Sequence, residues 1–558
     1  MLYLKKKELF IGLITCLVFL GVLVLPSFCL ADYNQSVDFF VDPDYDIFSR
    51  NSITTQLIKK TNKINFFIDE EFNQNLDSKI ELDNKLYELS TNFEYQIFPK
   101  LTNLYGLPQE WKDSEWKLAV VFHPLKKNYG GYVRTQDIDS QQSLNDSNDV
   151  SVIFLNANSL KLSSHQLASY LAHEFSHHLT ITLKISQHSI LDDIWLEELR
   201  AELSESITQN INENFSSSVF KKRLESFIYT TNFSFLDWQN TDRDYATVNL
   251  LGHYLREKYG DKILKDSLGS SLKGAESINY ALQKNGFNIT FQGIIQNWMI
   301  ASVINDCSVN ELYCYKNPYL ESIKITGDTY FIPTKFETQM ISTDNISNLS
   351  GKWLKIAGGM DMIYLKFSLN NNAPIFQIPY VIIKTDGTKQ LGFLDFSSTT
   401  STDLYIVNKN VAAVIIMPFL VEDQSLNKKY SYTFELKSYE KNNQKDQQII
   451  NSLLKQIDEL RKQVAILQTQ LAMQKTYQSD LSCLMFSRDL YYGMTSSEVK
   501  CLQQYLANLE NDIYPEKLVT GYFGPLTQAA VQRYQAFKGI ITTGYFGPLT
   551  RAAANQSL

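Results

Sequence analysis

The stretch Leu171-Ala-His-Glu-Phe-Ser-His-His-Leu179 contains the pattern His-Glu-x-x-His. Apolar residues recur around it at every third or fourth position, which predicts an amphipathic helix with a serine pair at its start as a cap. His173 and His177 then lie one turn apart on one face, where two imidazoles can bind one metal ion. Glu174 is placed to act on water rather than to bind the metal. Two histidines on a solvated helix are the alternative, but with seven His in 558 residues the spacing favours a zinc site.

A third ligand is expected in the segment Ile194-Trp-Leu-Glu-Glu-Leu-Arg-Ala-Glu202. Two histidines leave a tetrahedral ion short of one protein ligand, and a catalytic site keeps its fourth position for water. Glu198 follows His177 at a distance that lets a second helix pack antiparallel on the first. Glu202, one turn further on, is predicted to accept a hydrogen bond from a ligating imidazole and so fix its tautomer. An acidic, solvated helix face is the alternative.

The two motifs together resemble those of the gluzincin metallopeptidases, whose second motif commonly reads Trp-Leu-Asn-Glu-Gly-x-Ala-Glu. With the Gly-Gly-Tyr at 130–132, the stretch 100–305 is similar to the hyicolysin-like branch. The resemblance implies a zinc-dependent endopeptidase with one catalytic Zn²⁺. Its ligands would be His173, His177 and Glu198, with Glu174 as the general base.

The chain departs from the family pattern at two positions of the second motif. Glu197 replaces the usual Asn and Leu199 the usual Gly, which leaves open whether Glu197 or Glu198 faces the metal, although the Trp-Leu register favours Glu198. Gluzincins often supply a Tyr or His from a second lobe to stabilise the oxyanion. Tyr245 and His253 are the candidates here, and ordinary helix packing is the alternative for both.

Length and charge limit the classes of protein to consider. A chain of 558 residues predicts roughly three or four domains. The net charge of −8 argues against nucleic acid as the main partner, because phosphate binding needs a basic face.

The first 31 residues are predicted to be an export signal. Three lysines precede an apolar run from Leu9 to Leu25, and Pro26 and Ala31 suit a cut after residue 31. An uncleaved membrane anchor is the alternative, because about seventeen apolar residues are near the minimum for a span. In either case the protein is expected outside the cytoplasm, secreted, wall-associated or membrane-anchored.

The cysteines beyond the signal fall into two local pairs. An even number on an exported chain predicts two disulfides, Cys307 with Cys314 and Cys483 with Cys501. Neither pair has the Cys-x-x-Cys spacing of a metal site.

Residues 32–325 are assigned to the metallopeptidase domain. Strands are predicted at 63–68, 116–122 and 150–155, and a helical second lobe at 244–305. The strand at 150–155 is either a free edge that takes an extended substrate or a central strand of the sheet.

Residues 326–440 have the two-residue period of an all-β sandwich. Seven short strands are separated by Asn, Gly and Asp turns, and no catalytic constellation lies among them. An accessory spacer or recognition module is therefore expected.

Residues 441–478 are predicted to form a coiled-coil stalk. Apolar residues occupy a and d positions over 450–471, which makes homo-oligomerisation through this segment an expectation. A single helix packed on a neighbouring domain is the alternative.

Residues 479–558 contain a close repeat, Thr520-Gly-Tyr-Phe-Gly-Pro-Leu-Thr and Thr543-Gly-Tyr-Phe-Gly-Pro-Leu-Thr. Each proline suits the first position of a helix. The repeats resemble the small three-helix peptidoglycan-binding domain, which implies peptidoglycan as a partner. The aromatic residues of the repeats are either core or binding residues.

The expected fold class is therefore multidomain α+β: a zincin-type domain, a sandwich, a coiled coil and a three-helix module. The expected function is hydrolysis of a protein or peptide substrate at the cell wall. The alternatives are a peptidase or amidase that cleaves peptidoglycan itself, and a non-catalytic adhesin or scaffold.

Overall fold

The computed structural model describes residues 36–73, 79–112, 115–126, 129–138, 146–208, 218–369, 377–396, 400–421, 429–441, 485–509 and 512–557. The chain divides into two compact units, with the boundary between Glu440 and Lys441. The predicted signal at 1–31 and the predicted coiled-coil and oligomer segment at 450–471 lie outside the described residues. The multidomain α+β class is confirmed by the sheets and helices of the two units.

The first unit begins with a six-stranded sheet of order β1-β2-β3-β4-β6-β5. Its strands are β1 Ser36–Phe40, β2 Ser52–Lys60, β3 Ile64–Asp69, β4 Leu118–His123, β5 Gly131–Tyr132 and β6 Val152–Asn156. The three strands predicted from sequence are confirmed as β3, β4 and β6, which run parallel. β6 is an interior strand, because β4 pairs with one side of it and the short β5 with the other.

Ten α-helices are described in the first unit: three lie between β3 and β4, and seven follow β6. They are α1 Glu70–Asn73, α2 Lys79–Asn92, α3 Phe98–Tyr105, α4 Ser164–His188, α5 Ile194–Thr208, α6 Ser218–Ile228, α7 Asp242–Tyr259, α8 Lys262–Leu268, α9 Gly274–Lys284 and α10 Phe291–Ile304. Ser163 caps α4: its hydroxyl accepts from the Gln166 backbone N–H, and the Gln166 side chain accepts from the Ser163 N–H. α7 ends at Gly260, whose φ of 80° suits glycine.

The sandwich consists of a five-stranded sheet, β14-β13-β16-β11-β8, and a four-stranded sheet, β15-β12-β18-β9. Both sheets contribute to one apolar core. The strands of this region are β8 Asp328–Ile332, β9 Thr338–Ser347, β10 Ser350–Lys352, β11 Leu354–Gly358, β12 Met362–Leu369, β13 Gln377–Lys384, β14 Lys389–Asp395, β15 Ser401–Val407, β16 Val411–Ile416, β17 Phe419–Leu420 and β18 Lys429–Tyr439. Of these, β10 and β17 belong to neither of the two sheets. The seven predicted strands are present, and β9, β10, β14 and β17 were not predicted.

The sandwich also shares a core with the helical lobe. Its Trp353 is fully buried, with its ring centroid 5.8 Å from that of Trp298 in α10 and 5.5 Å from that of Phe233. A three-stranded sheet, β17-β10-β7, joins the two parts, with β7 at Asn232–Ser234. The predicted accessory module is therefore packed into the first unit rather than standing apart as a spacer.

The described part of the second unit contains three helices, α11 Ser497–Asn508, α12 Pro525–Phe537 and α13 Pro548–Asn555. The predicted three-helix module is confirmed, with a proline in the first turn of α12 and of α13. Phe523 and Phe546 are fully buried, whereas Tyr522 and Tyr545 are exposed. The repeat aromatics are therefore divided between core and surface.

The disulfide Cys307–Cys314 is present as predicted. Cys501 is also disulfide-bonded, and Cys483, its predicted partner, lies outside the described residues. Among the described helices, none has both the length and the apolar composition needed to cross a bilayer.

Candidate metal centre

Helix α4 presents the two histidines of the first motif on one face. The ring centroids of His173 and His177 are 5.0 Å apart. The opposite side of the helix is anchored by Phe175, which is fully buried and packs on Phe93 with centroids 4.9 Å apart. The apolar side of α4 thus fixes the direction in which the histidines point.

Helix α5 packs on α4 and brings a carboxylate to both imidazoles. The Glu198 Oε2 atom lies 3.3 Å from His173 Nε2 and 3.4 Å from His177 Nε2. The three predicted ligands are therefore brought together, and their donor atoms lie close enough to hold one ion.

The neighbouring Glu197 is held away from this cluster. Its Oε2 accepts a 2.7 Å hydrogen bond from the Thr180 hydroxyl, and its Oε1 accepts one of 3.0 Å from Arg200. Arg200 is fully buried and also donates to Asp192 at 2.9 Å. Both Glu197 oxygens therefore have partners away from the histidines, and Glu198 is the acid of this pair that lies beside them.

The three side chains fit a zinc ion by their chemistry. Glu198 Oε2 is buried and has no hydrogen-bond partner among the described residues. Burial alone would raise the pKa of Glu198, but the two histidines overcome it and hold that pKa well below its usual range. Burial would lower the pKa of His173, yet Glu198 and Glu205 raise it well above the ordinary value. The cluster favours positive charge, and two imidazoles with one carboxylate form a known catalytic zinc set.

The second nitrogen of His173 has a carboxylate neighbour that the sequence did not identify. Glu205 Oε1 lies 3.4 Å from His173 Nδ1. Glu202, which was predicted for this role, accepts instead from Arg223 and Asn249, each at 3.1 Å. Glu205 thus occupies the place predicted for Glu202. Glu205 lies two helical turns after Glu198 and therefore on the same face of the helix. Glu202, one turn after Glu198, lies on that face too, so the spacing could not distinguish the two glutamates.

Glu174 lies between α4 and the edge of the first sheet. A Cβ added to Gly131 of β5 would lie 2.7 Å from Glu174 Cγ and 2.6 Å from the Phe154 carbonyl, so only glycine fits there. The next residue, Tyr132, is held by a buried hydrogen bond of 3.1 Å between its hydroxyl and His123. Burial raises the pKa of Glu174. The two glycines before Tyr132 were the sequence signal for this close approach.

An open cavity of about 600 Å³ lies in front of this cluster. Its described lining includes His173 and Glu174, the two glycines before Tyr132, and charged residues of α6. The full described lining is Tyr129, Gly130, Gly131, Tyr170, His173, Glu174, Glu205, Val219, Lys222, Arg223, Asn240, Thr241, Asp242 and Tyr245. Its volume falls within the range of about 300–1,000 Å³ that is typical of ligand-binding clefts.

Of the two oxyanion candidates, Tyr245 lines this cavity. Its ring lies 4.6 Å from the Arg223 guanidinium, and burial together with nearby carboxylates, Glu198 foremost, raises its pKa. Tyr245 is therefore protonated at neutral pH and able to donate a hydrogen bond. His253 lines a different cavity, of about 590 Å³, and burial lowers its pKa to about 3. The geometry separates the two candidates and favours Tyr245.

Comparison with known proteins identifies one family in this chain. Residues 495–554 match the peptidoglycan binding domain family. The chain therefore carries a peptidoglycan-binding domain, which is consistent with association with the cell wall.

No curated protein matches the chain. Among solved structures, a family GH115 4-O-methyl-alpha-glucuronidase with specificity for decorated arabinogalactans is similar at 8% identity and a TM-score of 0.13. That likeness covers 58% of this chain, which spans about half (51%) of the enzyme's length. At that TM-score the likeness defines neither a shared fold nor a shared activity.

Proposed function

We propose that the protein is an exported zinc-dependent endopeptidase of the gluzincin type, retained at the cell wall by its peptidoglycan-binding domain. The observation that carries the proposal is the convergence of two imidazole nitrogens and one carboxylate oxygen at 3.3 and 3.4 Å. Of these three residues His173 lines an open cavity, which Glu174 also lines.

Three side chains are assigned to hold the ion: His173, His177 and Glu198. The chemistry that bound zinc supplies is Lewis acidity, which lowers the pKa of a water and polarises a carbonyl. Glu205 accepts from His173 Nδ1 and so keeps Nε2, the other ring nitrogen, available as a ligand.

Glu174 is assigned as the general base. Its carboxylate takes a proton from the attacking water while the water oxygen bonds to the scissile carbonyl carbon. As the C–N bond breaks, Glu174 returns that proton to the leaving amine. Burial raises the pKa of Glu174, which suits a group that must both accept and donate a proton.

Tyr245 is assigned to donate a hydrogen bond to the developing oxyanion. Its ring is held between the Arg223 guanidinium at 4.6 Å and the edge of Trp238 at 5.3 Å. These two contacts hold the ring at the wall of the cavity that Tyr245 lines.

Cleavage of the peptide part of peptidoglycan is the second candidate function. The observation that favours it is the peptidoglycan-binding domain at residues 495–554, which would deliver the enzyme to that substrate. The two candidates differ in substrate and share the same proposed site.

The test compares wild-type full-length protein with Glu174→Gln, using casein and purified peptidoglycan as parallel substrates. We expect chelator-sensitive hydrolysis that falls about 10²- to 10⁴-fold in Glu174→Gln, since a general base contributes that much. Glu225→Gln is the matched control, because Glu225 is exposed on α6 and does not line the cavity among the described residues.

Zinc content is measured in the same preparations. Release of wall peptides with no cleavage of casein would favour the second candidate. Zinc-loaded protein that hydrolyses neither substrate would overturn the enzyme proposal and leave an inert, wall-attached scaffold.

A further inference from the structure

The two repeats of the second unit can be compared with each other, because a glutamine side chain makes the same backbone hydrogen bonds in each. In the first, Gln503 donates to the Tyr522 carbonyl at 2.8 Å and accepts from the Gly521 N–H at 2.7 Å. In the second, Gln535 makes the same bonds to Tyr545 and Gly544, both at 2.8 Å. The repeats are therefore equivalent in backbone, and differences between them lie in their surface side chains.

The surface around Tyr545 is polar and ordered. The Tyr545 hydroxyl donates a 2.6 Å hydrogen bond to Asp489 Oδ2, and Arg551 donates one of 2.6 Å to Asp489 Oδ1. The Tyr491 ring lies beside it, with centroids 6.4 Å apart. Tyr491 and Tyr545 are 53% and 42% exposed, so their rings are available to a ligand.

Among the described residues, the corresponding surface around Tyr522 lacks these partners. Gln528 stands at the position of Arg551 in the other repeat. Tyr522 is as exposed as Tyr545, at 44%, but within the described parts of the chain its hydroxyl has no hydrogen-bond partner. One repeat thus carries an aromatic pair beside a charged pair, and the other carries a tyrosine beside an amide.

The chemistry of the Tyr545 surface suits a glycan that carries peptides. Tyrosine rings offer an apolar face and a polar end, which fits the faces and hydroxyl groups of a sugar. Arg551 directs one nitrogen to Asp489, and its Nε and second terminal nitrogen have no partner among the described residues. A guanidinium with donors left over binds a carboxylate strongly.

We propose that the surface formed by Asp489, Tyr491, Tyr545 and Arg551 is where the domain recognises peptidoglycan. Tyr491 and Tyr545 stack on the sugar rings, and Arg551 binds a carboxylate of the peptide stem. Asp489 orients both Arg551 and Tyr545. The surface around Tyr522 has no equivalent role.

The experiment measures binding of the full-length protein to purified peptidoglycan, with a chelator present to suppress any hydrolysis. Arg551→Gln makes the second repeat match the first at this position, and Tyr491→Ala removes one ring without touching the core. We expect each to weaken binding about tenfold or more, because Arg551→Gln removes a charge-assisted hydrogen bond to the ligand and Tyr491→Ala removes a ring that stacks on a sugar. Tyr522→Ala and Gln528→Ala are the matched controls and should bind like the wild type.

A second arm uses peptidoglycan whose free carboxylates have been amidated. The wild-type protein should bind amidated peptidoglycan more weakly than untreated peptidoglycan, by the same factor by which Arg551→Gln weakens binding. Arg551→Gln itself should bind the amidated and the untreated peptidoglycan equally. Thermal melts of each variant identify any that fail to fold. The proposal is overturned if Arg551→Gln binds as the wild type does, or if Tyr522→Ala weakens binding as much as Tyr491→Ala.

Discussion

At the residue scale, the glutamates of α5 are distinguished by the partners they already have. Glu197 and Glu202 are each engaged by an arginine, whereas Glu198 and Glu205 lie against His173. The helical period could predict that several acids lie near the histidines. The period could not show which of these acids lies at the histidines. Two of them are paired with arginines, and that pairing depends on tertiary packing.

Glu205→Gln is predicted to weaken zinc binding about 10- to 100-fold, since His173 Nδ1 loses its carboxylate acceptor. Competition with a chromogenic chelator measures the change. Glu202→Gln is the control variant. Because it disturbs the contact of buried Glu202 with Arg223, it should lower the free energy of unfolding. Its effect on the zinc affinity of the folded protein should be smaller than that of Glu205→Gln. Wild-type zinc affinity in Glu205→Gln would contradict the assignment.

His253 is predicted to make the protein less stable in mild acid. Its pKa is about 3 in the folded protein, because of burial, against about 6.5 in the unfolded chain. Below about pH 6.5 the unfolded chain binds a proton at His253 that the folded protein does not bind. The contribution of neutral His253 to the free energy of unfolding is therefore complete above about pH 6.5 and is lost progressively as the pH falls toward 3. At pH 5 the loss from this one group is about 2 kcal/mol.

The measurement is the free energy of unfolding of wild type and His253→Gln at pH 7 and pH 5. The difference between the two pH values should be smaller in the variant by about 2 kcal/mol. An equal pH dependence in both proteins would show that His253 does not titrate as described.

At the element scale, the site depends on the two-residue strand β5. This strand lies between β6 and Glu174, and its position is held by the hydrogen bond of Tyr132 to buried His123. Two adjacent glycines favour a turn or bulge, and the pairing of β5 with β6 places that bend against α4.

Gly131→Ala is predicted to reduce hydrolysis about 10²-fold while zinc content is retained, because the new methyl group would displace Glu174 or β5. Gly130→Ala is its matched control. A Cβ there would lie 3.2 Å or more from the Tyr170 ring, at the cavity wall, so a smaller loss is expected. Steady-state rates and zinc analysis on the same samples check both; equal losses in the two variants would contradict the role of Gly131.

Prediction from sequence succeeded for elements with a strong apolar period and failed for polar ones. The start of helix α4 and the bounds of the buried strands β3, β4 and β6 were located within two residues, whereas α4 continues to His188, beyond the periodic stretch that ends at Leu179. β9 was missed because it is an edge strand rich in Thr, Ser, Asn and Asp, which pairs only with β18. β14 was missed because Gly392 interrupts its apolar pattern. The Tyr380 ring fills the space that a side chain at position 392 would occupy, so glycine is required there.

At the scale of the whole molecule, the sandwich and the helical lobe form one packed unit. Trp353 extends from the sandwich into a cluster of aromatic residues of the lobe, and its backbone N–H bonds to the Thr231 carbonyl at 2.9 Å. A boundary near residue 325 could be predicted from the change of period. The shared core could not, because the tryptophans come from segments far apart in sequence.

Trp353→Ala is predicted to cost about 3–5 kcal/mol of unfolding free energy, as for other buried aromatic residues. Because the core is shared, amide exchange should accelerate in α10 of the lobe as well as in β16 of the sandwich. Faster exchange confined to the sandwich would contradict a shared core.

The most direct test of the central claim is the zinc content of purified wild-type, Glu198→Ala and Glu174→Gln protein, measured together with chelator-sensitive peptide hydrolysis. The expected result is one zinc per chain and hydrolysis in the wild type, one zinc without hydrolysis in Glu174→Gln, and loss of both in Glu198→Ala. Full zinc content in Glu198→Ala, or undiminished hydrolysis in Glu174→Gln, would contradict the proposed catalytic centre.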